Sequence, residues 1–189
     1  MKKSKGGTMR EAKSRNDDME DRDMEEEEET SGDLFEMLKT DHRHVQDLFT
    51  RFEDADKRSR STIAEEALVA LEVHAALEEE LVYPAIAEVV EEEELVNEAK
   101  EEHHVAKLLI KELHKMDAGD EEFATKFKVL GEIVGHHIEE EESEMFPQAQ
   151  EGGFEPETIA QQVVKRREKL MQKFQGGKKS SASKRKKAA

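Results

Sequence analysis

The stretch LEVHAALEEELVYPA, residues 71–85, decides how this chain is read, because it returns as VGHHIEEEESEMFPQ, residues 134–148. Superposed without a gap, His74 falls on His137, Glu78 on Glu141, Glu79 on Glu142, Tyr83 on Phe146 and Pro84 on Pro147. Each copy is HxxxEE followed by an aromatic residue and a proline. On an α-helix, residues four apart stack on one face, so each copy presents an imidazole and a carboxylate as a pair. Two such pairs on two helices supply the ligands of a dinuclear metal site.

The rest of the chain is compatible with that reading. Its 189 residues suffice for one domain with a core plus tails, and a charged content of 41% means that much of the surface is solvated. A net charge of -17 sets the folded body against binding nucleic acid or an anionic membrane. The absence of cysteine excludes disulfides, iron–sulfur clusters and thiolate zinc sites, and suits a reducing interior. No apolar leader follows MKKSKGG, and no apolar run reaches the roughly 18 residues needed to cross a bilayer. The expectation is a cytoplasmic protein without a membrane partner.

Residues 1–32 carry almost no bulky apolar side chain and are expected to form a disordered acidic arm. The bundle proper is expected over residues 33–150. Its first helix has the stripe Leu34, Leu38, Val45, Phe49 and Phe52, with His42 filling the one gap. A second helix runs from Ile63 to the region of Pro84, which should break or kink it, with Ile63, Ala67, Leu71 and Leu81 inward and His74 and Glu78 continuing the line. A third, from Leu95 to Met116, places Ala99, Ala106, Ile110 and Leu113 inward with His103 in register. After the turn at Gly119, a fourth carries Phe123, Phe127, Leu130 and Val134, continued by His137 and Glu141. Residues 151–175 read as a short fifth helix packing through Ile159, Val163 and Leu170, and residues 176–189 as a flexible basic tail. With no alternating strand pattern, the fold class is all-α: an antiparallel four-helix bundle with a fifth helix and charged tails.

A single HxxxE in so glutamate-rich a chain is ordinarily a solvated face, and a single inward histidine is ordinarily a hydrogen-bonded core residue. Here His42, His74, His103 and His137 come one per helix at comparable depth, while Glu78 and Glu141 occupy positions that should be apolar. An unpaired buried carboxylate carries a penalty of several kcal/mol, and no lysine or arginine lies in the four inward stripes to offset it. A pair of divalent cations would, with the histidines as nitrogen ligands and the glutamates as bridges. Mixed imidazole and carboxylate ligation suits iron, manganese or zinc and is wrong for calcium. The outer glutamates Glu79, Glu80, Glu139 and Glu140 read as solvated.

In the pieces LKTDHRHVQDLF, VHAALEEELVYPA, EEHHVAKLLIKEL and GHHIEEEESEMFP, in that order, the chain resembles the hemerythrin-like, HHE cation-binding family over about residues 33–150. The resemblance implies a four-helix bundle holding two iron ions through His42, His74, Glu78, His103, His137 and Glu141. Oxygen-carrying members have a second histidine in helix 3 where this chain has Lys107, and HxxxxD in helix 4 where it has HxxxE. This chain is therefore similar to the histidine-poor, glutamate-rich branch, which includes iron-sensing and stress-related members. Three functions follow as expectations. The first is a non-haem di-iron protein that binds or senses dioxygen, peroxide, nitric oxide or iron, and the second a di-iron enzyme reducing peroxide or oxygen. The third is an interaction protein tethered weakly to nucleic acid through its basic tail, in a sequence-blind and salt-sensitive manner.

Overall fold

The structure, a computed structural model, describes residues 34–90 and 93–187; the expected acidic arm over 1–32 lies outside the described residues. Four long helices form the bundle: α1 (Leu34–Asp54), α2 (Lys57–Leu77), α4 (Glu93–Leu113) and α5 (Glu121–Glu140). At 20 or 21 residues each, they are about 30 Å long. The link between α1 and α2 holds only residues 55–56, and Asp56 caps α2 by accepting a hydrogen bond from the Ser59 amide at 2.8 Å. Among the described residues there is no strand. Packing runs α1 on α2, α4 on α5 and α1 on α5.

Both HxxxEE copies leave the α-helical pattern at the same residue. Glu78–Val82 and Glu141–Met145 are single π turns, π1 and π2, in which the Tyr83 and Phe146 amides reach back five residues to the carbonyls of Glu78 and Glu141. The helices then resume as α3 (Tyr83–Ile86) and α6 (Phe146–Glu151), each with its proline in the first turn. Pro84 therefore does not break the helix, one of the two outcomes expected of it; the rod carries a π turn just before the proline instead. A proline clashes with the carbonyl four residues before it and leaves that group without a donor, and a widened preceding turn relieves the clash and keeps the rod continuous. The far ends of the two rods meet where Gly152 lies against the Val89 carbonyl, too close for any Cβ, and Gly153 takes φ 83°.

The core is two apolar clusters with a polar layer between them. One holds Leu38, Leu77, Ala99 and Met145; the other holds Val45, Leu71, Ile110 and Val134. His42, His74, His103 and His137 each fall between a member of one cluster and a member of the other on their own rods. The expected inward residues are buried apart from Ala106, Leu81, Phe49 and, on the fifth helix, Ile159, which are half-buried, and Leu48 takes the fully buried place beside Phe49.

The fifth helix, α7 (Glu157–Lys187), lies outside the bundle against α2 and π1, with Val163 and Leu170 in the first cluster. It is longer than the segment expected to end at residue 175. Gly176 and Gly177 each cost about 1 kcal/mol relative to alanine in a helix, yet no proline follows to remove a backbone donor, so the backbone stays helical through the expected tail as far as Lys187.

Candidate metal centre

The six residues singled out from the sequence share one buried layer: His42, His74, Glu78, His103, His137 and Glu141 are all 6% exposed or less. Their neighbours His44 and His104, which fall off the inward stripes, are exposed. The Nε2 atoms face inward in pairs, His42 to His74 at 3.0 Å and His103 to His137 at 2.9 Å. Glu78 reaches both pairs with separate oxygens, Oε1 at 2.9 Å from His74 Nε2 and Oε2 at 3.4 Å from His103 Nε2. Glu141 also reaches both, its Oε2 lying 3.3 Å from His42 Nε2 and 3.5 Å from His137 Nε2. Two candidate ligand sets result, His42–His74–Glu78–Glu141 and Glu78–His103–His137, sharing Glu78.

What aims the imidazoles is a ring of outer carboxylates, one on each Nδ1. His42 meets Glu142 at 2.7 Å, His74 meets Asp41 at 3.3 Å, His103 meets Glu79 at 3.1 Å and His137 meets Glu102 at 2.8 Å. A carboxylate accepts from Nδ1–H, which fixes the tautomer and leaves the inward Nε2 with a lone pair. The ring follows the internal repeat: Asp41 and Glu102 each precede the histidine of α1 or α4, and Glu79 and Glu142 are the second glutamates of the HxxxEE copies. Glu79 is therefore no solvated residue, as its sequence position suggested. Asp41 and Glu102 were not singled out from the sequence; their adjacency to His42 and His103 is the signal that could have found them.

Tyr83 is the other group that sequence patterning did not single out. Five residues past Glu78 it would leave the inward face of an α-helix, but across a π turn it returns to it. Its buried hydroxyl donates to Glu141 Oε1 at 2.8 Å and lies 3.3 Å from His103 Nε2 and 3.5 Å from His137 Nε2. Phe146, its counterpart, stacks on Phe35 with centroids 4.6 Å apart and lies parallel to His42 at 6.2 Å.

The donor set fits a pair of cations. Both oxygens of Glu78 and Oε2 of Glu141 are buried without a hydrogen-bond donor, and paired Nε2 lone pairs at about 3 Å repel one another unless a cation or proton lies between them. Burial and the facing Glu141 push the Glu78 carboxyl up. Burial also acts to raise Glu141, but His137, His42 and His74 outweigh it and hold it down at about 2. Burial acts to lower His74, yet Glu78 and Asp41 carry it up to about 10. Burial and the adjacent His137 take His103 down to about 3. Burial likewise acts against the charge on His137, and Glu141 and Glu102 reverse it upward.

Beside the histidines lies a cavity of about 30 Å³, walled on its other side by Val45, Leu71, Ala106, Ile110, Val134 and Ile138. That is room for about one or two water-sized molecules. Lys107 borders it, with its ammonium on both oxygens of Glu79.

Residues 33–149 match the family described as Hemerythrin HHE cation binding domain. A solved structure, that of a hemerythrin HHE cation-binding domain-containing protein from Mycobacterium kansasii, superposes with a TM-score of 0.62 at 22% identity. It covers 72% of this chain and 86% of the other, a likeness that shows the fold. No curated protein matches the chain. No helix among the described residues is long and apolar enough to cross a membrane.

Proposed function

The chain belongs to the hemerythrin HHE cation-binding domain family, and on that basis we propose that it is a non-haem di-iron protein whose centre binds a small ligand such as dioxygen, peroxide or nitric oxide. The observation that carries the reading is the pairing of inward Nε2 lone pairs with carboxylate oxygens that have no donor, each imidazole braced from outside by its own carboxylate. His42, His74, Glu78 and Glu141 would hold one ion and His103, His137 and Glu78 the other. Iron, when bound, supplies redox change and an open position for the ligand. The residues supply the rest. The cavity admits a molecule of two or three heavy atoms and its apolar wall keeps bulk water away. Tyr83, aimed at the three-ligand half, offers that ion a phenol oxygen or a proton. A cytoplasmic setting and weak nucleic-acid binding through the basic segment KKSSASKRKK belong to the same proposal, supported by the cysteine-free composition and the local charge.

The test is metal analysis of the aerobically purified chain together with its ultraviolet and visible spectrum. About two irons per chain, as di-iron bundle sites hold, and a near-ultraviolet charge-transfer band changed by azide or nitric oxide support it. Two zinc or two manganese ions would keep the dinuclear site and reject the iron. No stoichiometric metal rejects both. The buried phenol also favours a second reading, reduction of peroxide or oxygen at the same centre, since it places a proton donor on Glu141 and within 3.5 Å of His103 and His137. Turnover of peroxide by the iron-loaded chain separates that from binding alone.

A further inference from the structure

We infer that Arg167, on the fifth helix, is a positioning residue for one half of the centre: through Asp41 it holds His74, so that docking of α7 sets how firmly the ion of the His42–His74 half is retained. The inference rests on the metal reading above and deepens it.

Arg167 meets Asp41 as a fork, Nη1 to Oδ1 and Nη2 to Oδ2, both at 2.6 Å. Such a planar two-point contact fixes the carboxylate plane as well as its charge. The same Oδ2 lies 3.3 Å from His74 Nδ1. The contact is partly sheltered, with the side chains 28% and 22% exposed, so it is worth more than a fully exposed pair. The helix thus reaches, through one residue, an imidazole that faces Glu78.

On the other side the cation behind an outer carboxylate comes from the bundle itself, Lys107 of α4 on Glu79, and not from α7. By the internal repeat, Glu102 stands where Asp41 stands, bracing His137. Its surroundings are His136 and Glu140 instead of an arginine. α7 also provides its own control in Arg166, which makes the same kind of fork, at 2.6 and 2.8 Å, on Glu80. Glu80 braces no histidine of the centre. Arg166 therefore contributes to docking of the helix without the link to His74.

A carboxylate freed from its arginine is solvated and rotates, and the imidazole it braced loses its aim; changes in such outer partners typically cost 10- to 100-fold in metal affinity. The experiment uses the full-length, iron-loaded chain and its R166Q, R167Q, R167K and D41N variants. Release of iron to a chelator is followed in time, alongside the charge-transfer spectrum and helicity. Expected is biphasic release in R167Q with one ion leaving about tenfold faster and the other unchanged, D41N behaving alike, and the double variant R167Q/D41N no faster than either single. R167K should fall between, since it keeps the charge and loses the fork. R166Q should match wild type. Unchanged release in R167Q overturns the inference, and so does equal acceleration in R166Q, which would mean that docking alone matters. A wild-type chain that takes up no metal overturns the metal reading and this inference with it, whereas a two-iron wild type with an indifferent R167Q overturns only the inference.

Discussion

The two halves of the buried centre are built from the same repeat and finished differently. Each has a histidine from the first helix of a pair, a histidine and a glutamate from the second, two outer carboxylates, and a π turn closed by an aromatic residue and a proline. The differences come from single residues. The His42–His74 half has Phe146 at its floor and an arginine from α7 behind it; the His103–His137 half has the Tyr83 hydroxyl and Lys107 behind Glu79. Glu78 offers one oxygen to each half, while one oxygen of Glu141 is taken by Tyr83. The common frame repeats one arrangement of candidate ligands, and the substitutions make its two halves inequivalent.

The strongest way to break the comparison is to remove what the halves share. Glu78→Ala should lose most of the metal of both halves, measured as metal per chain after desalting, whereas Glu141→Ala should lose less because its Oε1 is already committed to Tyr83. Full metal retention in both variants would mean that the ions sit elsewhere.

Next in size is the exchange of the two floors. Tyr83→Phe removes the donor to Glu141 and leaves a buried acceptor bare, at a cost of about 1–3 kcal/mol in unfolding free energy. It should also alter the charge-transfer spectrum, whereas Phe146→Leu should alter stability and leave the spectrum alone. A Tyr83→Phe spectrum identical to wild type would show that the phenol is a spectator.

The halves should also separate on titration of the metal-free chain. His74, at about 10 in the fold against an ordinary 6.5, adds stability that is complete below pH 6.5 and fades as the pH rises towards 10. His103, at about 3, is neutral throughout that range and adds nothing to the change. Glu141 works in the opposite direction: held at about 2, it adds stability above pH 4.5 that is lost as the pH falls. The melting temperature of the metal-free chain should therefore decline from pH 6.5 to 10. A melting temperature that rises over that interval would contradict the assignment of the proton to His74.

A smaller effect is expected of Lys107→Gln, which copies Gln46, the residue one helical turn after His42. It frees Glu79 and should speed release of one ion severalfold, short of the 10- to 100-fold range for loss of the carboxylate itself. The smallest effect belongs to deletion of residues 177–189. Metal content should not change, and any DNA binding should weaken and be strongly reduced by salt; salt-insensitive binding that survives the deletion would contradict it.

Much of this was legible in the sequence because the site contradicts its surroundings. A histidine or glutamate on an apolar stripe stands out, and the stripes alone separated His42 from His44 and His103 from His104. What was misread lay where the α-helical period fails. Glu79 and Tyr83 fall off the inward face at 100° per residue, so one read as solvated and the other was not singled out, and Pro84 read as a break or kink. The π turns are the reason in every case, and they leave no periodic signal. The Arg167–Asp41 fork was illegible for a different reason: its partners are 126 residues apart, and nothing local marks either as the other's mate.

The π turns also say which kinds of genetic change the chain tolerates. Each turn holds one residue more than an α-helical turn, and that residue sets the phase of everything downstream in its rod. Inserting a residue at Glu79, Glu80 or Leu81 would rotate Tyr83 and Ile86 by about 100°, out of the centre and the core together, while deleting one would restore an unbroken α-helix and bring the Pro84 ring back onto a carbonyl. A substitution at Leu81, which is only half-buried, disturbs neither phase nor proline. The spacing from Glu78 to Tyr83, and likewise from Glu141 to Phe146, is thus constrained in length more tightly than in composition, and insertions or deletions there should be purged where point changes drift.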